Sequence, residues 1–281
     1  MRLLCGRFTL ALDRPRVMGI VNVTPDSFSD GGEFLEGARA IAHGLALRDQ
    51  GADLVDVGGE STRPGAGAVA LHEELRRVLP VIEALAREGV AVSVDTMKPE
   101  VMRAAIEAGA SMVNDVNAFR APGAIDAVAS TDAGLCVMHM KGTPATMQAD
   151  PQYDDVVAEV GSYLRARAAA LEAAGVARDR IVIDPGFGFG KTIEHNVALF
   201  RAIPALASMG YPVLAGLSRK RTIGEITGRA VDERMAGSVA AALLAVQNGA
   251  SLVRAHDVGE TVDAIKVWLA LGGQGTSGVE L

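Results

Sequence analysis

Cysteine, aromatic residues and net positive charge are all scarce in this chain of 281 residues. Cys5 and Cys136 are the only cysteines, too few for a disulfide scaffold, and they favour a reducing, cytoplasmic environment. Aromatic residues make up 4% of the chain and the formal net charge is -7, so non-specific nucleic-acid binding is not expected. No apolar stretch reaches the ~18 residues that a membrane span needs, and the amino terminus lacks the apolar core of a signal peptide. The sequence therefore predicts a cytoplasmic protein with no membrane segment.

What the chain does contain is a repeated pattern of short apolar runs, each ending at a polar residue and followed by a helix-like stretch. A parallel strand buried on both faces is typically a continuous apolar run of this kind. The runs cover residues 18–22, 54–56, 90–95, 111–114, 134–139, 181–184, 213–218 and 251–254. Alternating strands and helices predict parallel βαβ units, and the length suits one α/β domain, a (β/α)8 TIM barrel. A doubly wound open sheet remains the alternative, because the same repeat builds both.

The rest of the chain predicts a simple organisation around this barrel. We expect a single domain over residues 1–271, followed by a disordered tail over residues 272–281. Residues 3–12 predict a short β-hairpin before the first barrel strand, placed to close the bottom of the barrel. Two loops, 22–34 and 58–67, are long and rich in glycine, serine, threonine and proline, which is typical of functional lids.

Polar residues end the predicted strands, and in a barrel those ends meet at the rim where chemistry takes place. Asp95, Asn114 and Asp184 offer acceptors and a donor that could read the edge of a planar heterocycle. Each residue alone could instead cap the following helix, Asp95 in particular. Three of them on one rim favour a binding site. Two other runs end without an assigned role, at Asp56 and His139.

Other residues at the same rim suit an anion and a metal ion. The amide oxygen of Asn22, at the base of the first long loop, suits a Mg²⁺ that keeps most of its waters and bridges to phosphate. Arg254 and His256 follow the eighth run, where barrel enzymes often hold phosphate. Thr62 and Arg63 in the second long loop could bind an anion as well. A solvated turn for that loop and a structural role for His256 remain open.

The stretch 184–192 looks like a nucleotide-binding loop but fails both patterns. A phosphate-binding loop needs glycine five positions before its Gly-Lys pair, where this chain has Pro185. Lys191 occupies the last glycine position of the dinucleotide fingerprint. Glycines that alternate with two phenylalanines instead allow the backbone and one ring, such as that of Phe189, to lie against a flat ligand.

In this order and spacing, the motifs resemble those of bacterial dihydropteroate synthases over nearly the whole chain. The matching stretches are Gly19-Ile-Val-Asn-Val-Thr-Pro-Asp-Ser-Phe-Ser-Asp-Gly-Gly32, Asp56-Val-Gly-Gly-Glu-Ser-Thr-Arg-Pro-Gly65, Ser93-Val-Asp-Thr96, Asn114-Asp-Val116, Asp184-Pro-Gly-Phe-Gly-Phe-Gly-Lys191, Ser218-Arg-Lys220 and Arg254-Ala-His256. Enzymes of that family join 4-aminobenzoate to 6-hydroxymethyl-7,8-dihydropterin diphosphate, forming 7,8-dihydropteroate and releasing diphosphate.

The resemblance implies a role for each matching residue. The pterin would be bound by Asp95, Asn114, Met138, Asp184, Phe189 and Lys220. The diphosphate would be bound by Asn22, Thr62, Arg254 and His256, and Asn22 would carry the cofactor Mg²⁺. The 4-aminobenzoate would be bound by Phe28, Thr62, Arg63, Pro64, Phe189, Ser218 and Lys220. The catalytic residues would be Asp95, Lys220, Arg254 and His256.

The resemblance also implies an SN1-like mechanism, in which diphosphate leaves first and the weakly basic aryl amine then attacks the pterin cation. No strong general base is needed for that order of events. Loops 22–34 and 58–67 would close to exclude water. The resemblance further implies a homodimer, no nucleic-acid or membrane partner, and a target for sulfonamides.

Three other functions remain open for the sequence. One is a pterin-binding methyltransferase of the same barrel superfamily, which acts on methyltetrahydrofolate with a corrinoid protein. Another is a Schiff-base aldolase with Lys220 as nucleophile, although this residue lies just beyond its apolar run. The third is a non-catalytic protein that only binds pterin.

Overall fold

The computed structural model describes residues 1–24, 32–62 and 65–273, with the backbone alone given for residues 32–35. The predicted site residues Phe28, Arg63 and Pro64 lie outside the described residues, as does most of the predicted tail. Among the described helices, none combines the length and the apolar character needed to cross a membrane.

A short antiparallel hairpin precedes the barrel, as predicted. Its strands are β1 (Arg2–Cys5) and β2 (Phe8–Ala11), and Leu3 pairs with Leu10. Leu3, Cys5 and Leu12 pack into the apolar cluster at the amino ends of the barrel strands. The hairpin therefore closes the bottom of the barrel.

Eight parallel strands form a nearly closed barrel, which confirms the predicted (β/α)8 fold. They are β3 (Arg16–Asn22), β4 (Leu54–Gly58), β5 (Val92–Asp95), β6 (Met112–Asp115), β7 (Gly134–Met138), β8 (Ile181–Asp184), β9 (Leu214–Ala215) and β10 (Leu252–Ala255). They lie in the order β8-β7-β6-β5-β4-β3-β10-β9. A parallel bridge from Ile183 to Val213 brings β8 to β9, so the open-sheet alternative is wrong.

Helices connect successive strands on the outside of the barrel. They are α1 (Gly32–Asp49), α2 (Leu71–Arg87), α3 (Pro99–Glu107), α4 (Ala124–Val128), α5 (Val156–Ala173), α6 (Ile193–Arg201), α7 (Ile203–Ala207), α8 (Arg221–Thr227), α9 (Met235–Gln247) and α10 (Val258–Ala270). Local sequence explains both ends of α3. Pro99 begins α3, where its fixed φ suits the first turn, and Gly109 follows the helix with a φ of 108°.

Alternate residues of each strand face opposite sides, so the barrel wall separates two environments. Outward residues such as Val55 and Val57 pack against the helices. Inward residues near the amino ends, such as Leu54 and Met112, form the apolar floor. Each such fully buried side chain contributes roughly 2 kcal/mol to stability. Two positions further along β4 the inward residue is the fully buried Asp56, so the interior changes from apolar to polar towards the carboxyl ends.

Candidate active site

An ionic network crosses the mouth of the barrel, with Arg254 of β10 at its centre. Arg254 Nε donates to Asp56 Oδ2 at 2.7 Å, and its Nη2 donates to Asp95 Oδ2 at 3.1 Å. Asn114 Nδ2 donates to the same Asp56 oxygen at 3.1 Å. Strands β4, β5, β6 and β10 thus each supply one polar side chain. Because a buried charge needs a partner, the guanidinium fixes the positions of both carboxylates.

Burial and neighbouring charges shift the protonation of these groups. Burial, and then the charge of Asp56, raises the pKa of the Asp95 carboxyl to about 7, although Arg254 lowers it. Burial also raises the pKa of Asp184. Burial lowers the pKa of Arg254, but Asp56 and Asp95 outweigh this effect and leave it raised, so the guanidinium stays charged. Carboxylates with raised pKa values in a barrel mouth are typical of functional sites.

Three buried polar atoms of the mouth have no hydrogen-bond partner among the described residues. They are Asp56 Oδ1, Ser93 Oγ and Asn114 Oδ1. Buried polar atoms in folded proteins are nearly always paired, so unpaired ones call for a partner that binds there. Two of these atoms are acceptors, and the hydroxyl can act either way. A ligand with N–H groups along one edge would satisfy them.

The loop over residues 184–191, after β8, forms another wall of the mouth. Lys220 Nζ donates to the carbonyl oxygen of Phe187 at 2.6 Å and lies 4.6 Å from the centre of the Phe189 ring. The Phe189 ring also packs against the cluster that contains Met138. An aromatic ring, a thioether and an ammonium group together offer a flat apolar surface next to a positive charge.

Charge and backbone bonding fix the base of this loop. The Asp184 carboxylate accepts the backbone N–H of Gly186 at 2.7 Å, which turns the chain directly after β8. Burial lowers the pKa of Lys220 to about 8, against the effect of Asp184. The mouth therefore holds an amine, that of Lys220, and a carboxyl, that of Asp95, whose pKa values both lie near neutral pH.

The loops after β9 and β10 meet through Ser218 and His256. Ser218 Oγ lies 3.0 Å from His256 Nδ1 and accepts the backbone N–H of His256 at 3.1 Å. Arg219, which has a left-handed φ of 56°, donates through Nε to Asp257 at 3.0 Å. These bonds fix the segment that carries Lys220. Since β9 ends at Ala215, Ser218 lies in a loop and not at a strand end, contrary to the sequence prediction.

Asn22 lies at the end of β3, the strand that pairs with β10. It pairs with Gly58, and Gly58 pairs with Asp95, so the three positions form one row. A Cβ on Gly58 would lie 3.4 Å from Asp95 Cβ, so the bare α-carbon leaves room between them. Thr62 is half-buried at the end of its described segment. The described residues contain no group of three or more His, Cys, Asp or Glu placed to hold a metal.

The amide oxygen of Asn22 fits Mg²⁺ in one specific way. Mg²⁺ prefers oxygen ligands and is commonly held by one or two protein groups, with waters and substrate phosphate oxygens completing the octahedron. A single hard ligand at the rim agrees with a Mg²⁺ ion that binds together with a diphosphate.

The structure decides one alternative that the sequence left open, the capping role of Asp95. Asp95 does not cap α3, because Lys98 is the residue before that helix and no side chain caps it. Sequence reasoning assigned no role to Asp56, yet this residue joins Arg254 and Asn114. The available signal was the one used for Asp95, an acidic residue that ends an apolar run.

Comparison with known proteins places the chain in a family. A family model described as pterin binding enzyme matches residues 18–256, so the chain belongs to the pterin-binding enzymes. It is 53% identical to the dihydropteroate synthase of Neisseria meningitidis serogroup B, over 95% of this chain and 96% of that protein. Within the family the chain belongs to the dihydropteroate synthases, which are transferases, and the resemblance seen in the motifs is confirmed.

Solved structures agree with this placement. Dihydropteroate synthase of Xanthomonas albilineans with 4-aminobenzoic acid is 60% identical, with a TM-score of 0.91 over 96% of this chain and 97% of that one. The same enzyme in complex with 7,8-dihydropteroate is matched at 56% identity, with a TM-score of 0.88 over 96% and 98% of the two chains.

Proposed function

We propose that the chain joins 4-aminobenzoate to 6-hydroxymethyl-7,8-dihydropterin diphosphate, giving 7,8-dihydropteroate and diphosphate. The observation that carries this proposal is the unpaired pair of buried acceptors, Asp56 Oδ1 and Asn114 Oδ1, next to the charged Arg254. The dihydropterin diphosphate has a flat ring system with N–H donors along one edge, and its diphosphate is attached through the methylene group at the other end. The mouth offers acceptors, a flat wall and cations in the arrangement that such a molecule requires.

The pterin is proposed to lie inside the mouth, at the carboxyl ends of the barrel strands. Asp95, Asn114 and Asp184 would bind its polar edge, with Lys220 at the ring. Met138 and Phe189 would contact its faces, and their packing in one apolar cluster supports this placement. The unpaired Asp56 oxygen adds an acceptor to this set.

The diphosphate is proposed to bind at the rim, between the β3 and β10 ends. Arg254 and His256 would hold its oxygens, with Thr62 nearby and Asn22 as the protein ligand of Mg²⁺. When bound, Mg²⁺ would neutralise part of the charge on the diphosphate. The guanidinium already spans the mouth between two carboxylates, so its charge is held in place before substrate arrives.

The 4-aminobenzoate is proposed to bind above the pterin, against the β9 loop. Ser218, Lys220 and Phe189 are the described residues that support this subsite, and Thr62 stands at its edge. Phe28, Arg63 and Pro64 are expected to complete it, and these positions stay predictions. Sulfonamides, which are aromatic amines with an acidic group in place of the carboxylate, are expected to compete here.

The proposed reaction begins with breakage of the bond between the pterin methylene carbon and the diphosphate oxygen. The electron pair leaves with the diphosphate, next to Arg254 and His256, and the resulting cation is delocalised into the pterin ring. Negative charge on Asp95 and Asp184 would stabilise that cation. The amine nitrogen of 4-aminobenzoate then bonds to the methylene carbon and loses a proton to solvent. The predicted closure of loops 22–34 and 58–67 would keep water from the cation.

A side-by-side assay tests the proposed function against its nearest rival. The purified chain is given either 4-aminobenzoate with dihydropterin diphosphate, or methyltetrahydrofolate with a corrinoid protein, in the presence of Mg²⁺. We expect dihydropteroate from the first mixture and no methyl transfer in the second. Methyl transfer without dihydropteroate would favour the methyltransferase, and pterin binding with neither product would favour a non-catalytic protein.

We also propose that the protein is a cytoplasmic homodimer. Large apolar side chains are exposed on the neighbouring helices α8, α9 and α10, among them Ile226, Leu244 and Val267. A second copy of the chain would cover them. Cys5 and Cys136 are free and buried in the barrel floor, which agrees with a reducing compartment. Sedimentation equilibrium at micromolar concentration should give twice the chain mass of 29.1 kDa.

A further inference from the structure

Lys191 is an almost fully buried amine whose close contacts are all neutral groups. Its Nζ lies 2.9 Å from the carbonyl oxygen of Gly186 and 2.9 Å from that of Phe189. It also lies 3.2 Å from the carbonyl oxygen and 3.0 Å from Nδ1 of His139. A buried amine gains its stability from such bonds, because no water replaces them. The Nζ atom of Lys191 therefore lies within hydrogen-bond distance of two separate segments of the chain.

The two segments are the end of β7 and the 184–191 loop. His139 directly follows β7, whereas Gly186 and Phe189 belong to the loop. The backbones also touch, since a Cβ on Gly186, with its φ of 66°, would lie 2.0 Å from the carbonyl oxygen of His139. The loop backbone thus packs directly against the end of β7, and Lys191 bonds it there.

The opposite side of the same loop faces the mouth. Lys220 donates to the carbonyl of Phe187 and lies over the ring of Phe189. A displacement of the loop would move the ring of Phe189 and the ammonium of Lys220 together. Their positions therefore depend on the bonds that Lys191 makes behind them.

We propose that Lys191, with His139 as its partner, is a positioning residue that sets the pterin-facing wall of the active site. The inference rests on the proposed function in one respect, that the ligand of this wall is a pterin. Lys191 acts through the loop backbone and makes no contact with the substrate.

His139 is suited to this partnership. Its ring is buried and makes an edge contact with the Tyr163 ring, with centroids 4.9 Å apart. Burial, and then the charge of Lys191, lowers the pKa of His139 to about 3, so the imidazole is neutral. Burial lowers the pKa of Lys191 to about 7. The contact survives in both states, because an ammonium donates to Nδ1 and a neutral amine can accept from it.

The test measures pterin binding apart from turnover, by calorimetric titration with diphosphate-free 6-hydroxymethyl-7,8-dihydropterin. Lys191→Met keeps an unbranched side chain, one atom shorter, and removes the hydrogen bonds of Nζ. We expect the Kd for the pterin to rise at least about ten-fold, since small displacements of binding groups are costly. Lys141→Met, on the neighbouring and more exposed lysine, is the matched control and should change the Kd less than about two-fold.

A double-mutant cycle separates positioning from general stabilisation. If Lys191 acts through Phe189, the variant Lys191→Met/Phe189→Leu should bind pterin no more weakly than the weaker single variant. Fully additive losses would overturn the proposal. A lowered Tm with an unchanged Kd in Lys191→Met would overturn it as well, since this result indicates a structural role only.

A second pair of variants decides the question if Lys191→Met fails to fold. His139→Asn offers an amide oxygen near the position of Nδ1, whereas His139→Leu offers no acceptor. Weak pterin binding in the leucine variant with recovery in the asparagine variant supports the proposal, and equal binding in both contradicts it. A wild-type protein that binds pterin but forms no dihydropteroate would refute the proposed reaction, while the titrations would still decide the role of Lys191.

Discussion

Replacement of Asp56 by asparagine removes one negative charge from the network around Arg254 and leaves its shape nearly unchanged. The pKa of Asp95 is raised from its ordinary value of 3.8 to about 7, first by burial and then by the charge of Asp56. That increase corresponds to roughly 4 kcal/mol against the ionised carboxylate. Without the charge of Asp56, the dominant neighbouring charge is that of Arg254, 3.1 Å away, so the pKa of Asp95 must fall.

The pH dependence of activity measures this shift. If ionised Asp95 stabilises the pterin cation, kcat/KM for the dihydropterin diphosphate should decrease as the pH falls through about 7 in the wild type. In Asp56→Asn this decrease should move to lower pH by at least about one pH unit. At pH 8 the variant should also have a roughly ten-fold lower kcat/KM, equivalent to about 1–2 kcal/mol. The reason is that the bond that holds Arg254 in place loses its charged acceptor.

The free energy of unfolding gives an independent measure of the pKa of the Asp95 carboxyl. Asp95 holds its proton in the folded chain at pH values where the unfolded chain has lost it. Its contribution to the free energy of unfolding is therefore fully present below pH 4 and is lost as the pH rises to about 7. Urea titrations should show a smaller loss over this window for Asp56→Asn. Ser93→Ala, a neutral change in the same mouth, is the control. A decrease in kcat/KM at the same pH in Asp56→Asn and wild type would show that the charge of Asp56 does not control the ionisation of Asp95.

Three further variants test a buried ion pair, a close backbone contact and the proposed metal ligand. Lys98→Met should lower the free energy of unfolding by about 3 kcal/mol in urea, because the fully buried Glu74 loses its cation, and a loss below about 1 kcal/mol would contradict this. Gly186→Ala should cost at least about 2 kcal/mol in thermal unfolding, because its Cβ would meet the carbonyl of His139 at a positive φ. Asn22→Ala should weaken Mg²⁺-dependent binding of diphosphate more than binding of a diphosphate-free pterin, and equal losses would contradict its proposed role.

Most of the fold could be predicted because local patterns encode it. Each barrel strand is an apolar run, and polar residues such as Asp95 and Asp184 mark its carboxyl end. Strand β9 is shorter than its run predicted, so Ser218 lies in a loop held by His256. Local sequence gives no information on such a bond between neighbouring loops.

The parts of the site that sequence could not provide depend on contacts between distant positions. Asp56 and Arg254 are 198 positions apart, and only closure of the barrel brings them together. The same holds for Lys191 and His139, which are 52 positions apart. A polar residue at the end of a run can be recognised from sequence, but its partner across the barrel cannot. Asp56 could therefore be recognised from sequence as a rim residue, but its contacts with Arg254 and Asn114 could not.

The chemistry proposed for this barrel mouth is the transfer of a pterin to 4-aminobenzoate with loss of diphosphate. The most direct test is one reaction of the purified chain with Mg²⁺, dihydropterin diphosphate and 4-aminobenzoate, in which both products are quantified over time. We expect 7,8-dihydropteroate and diphosphate to accumulate in equal amounts. Release of diphosphate without dihydropteroate, or formation of neither product, would exclude this reaction.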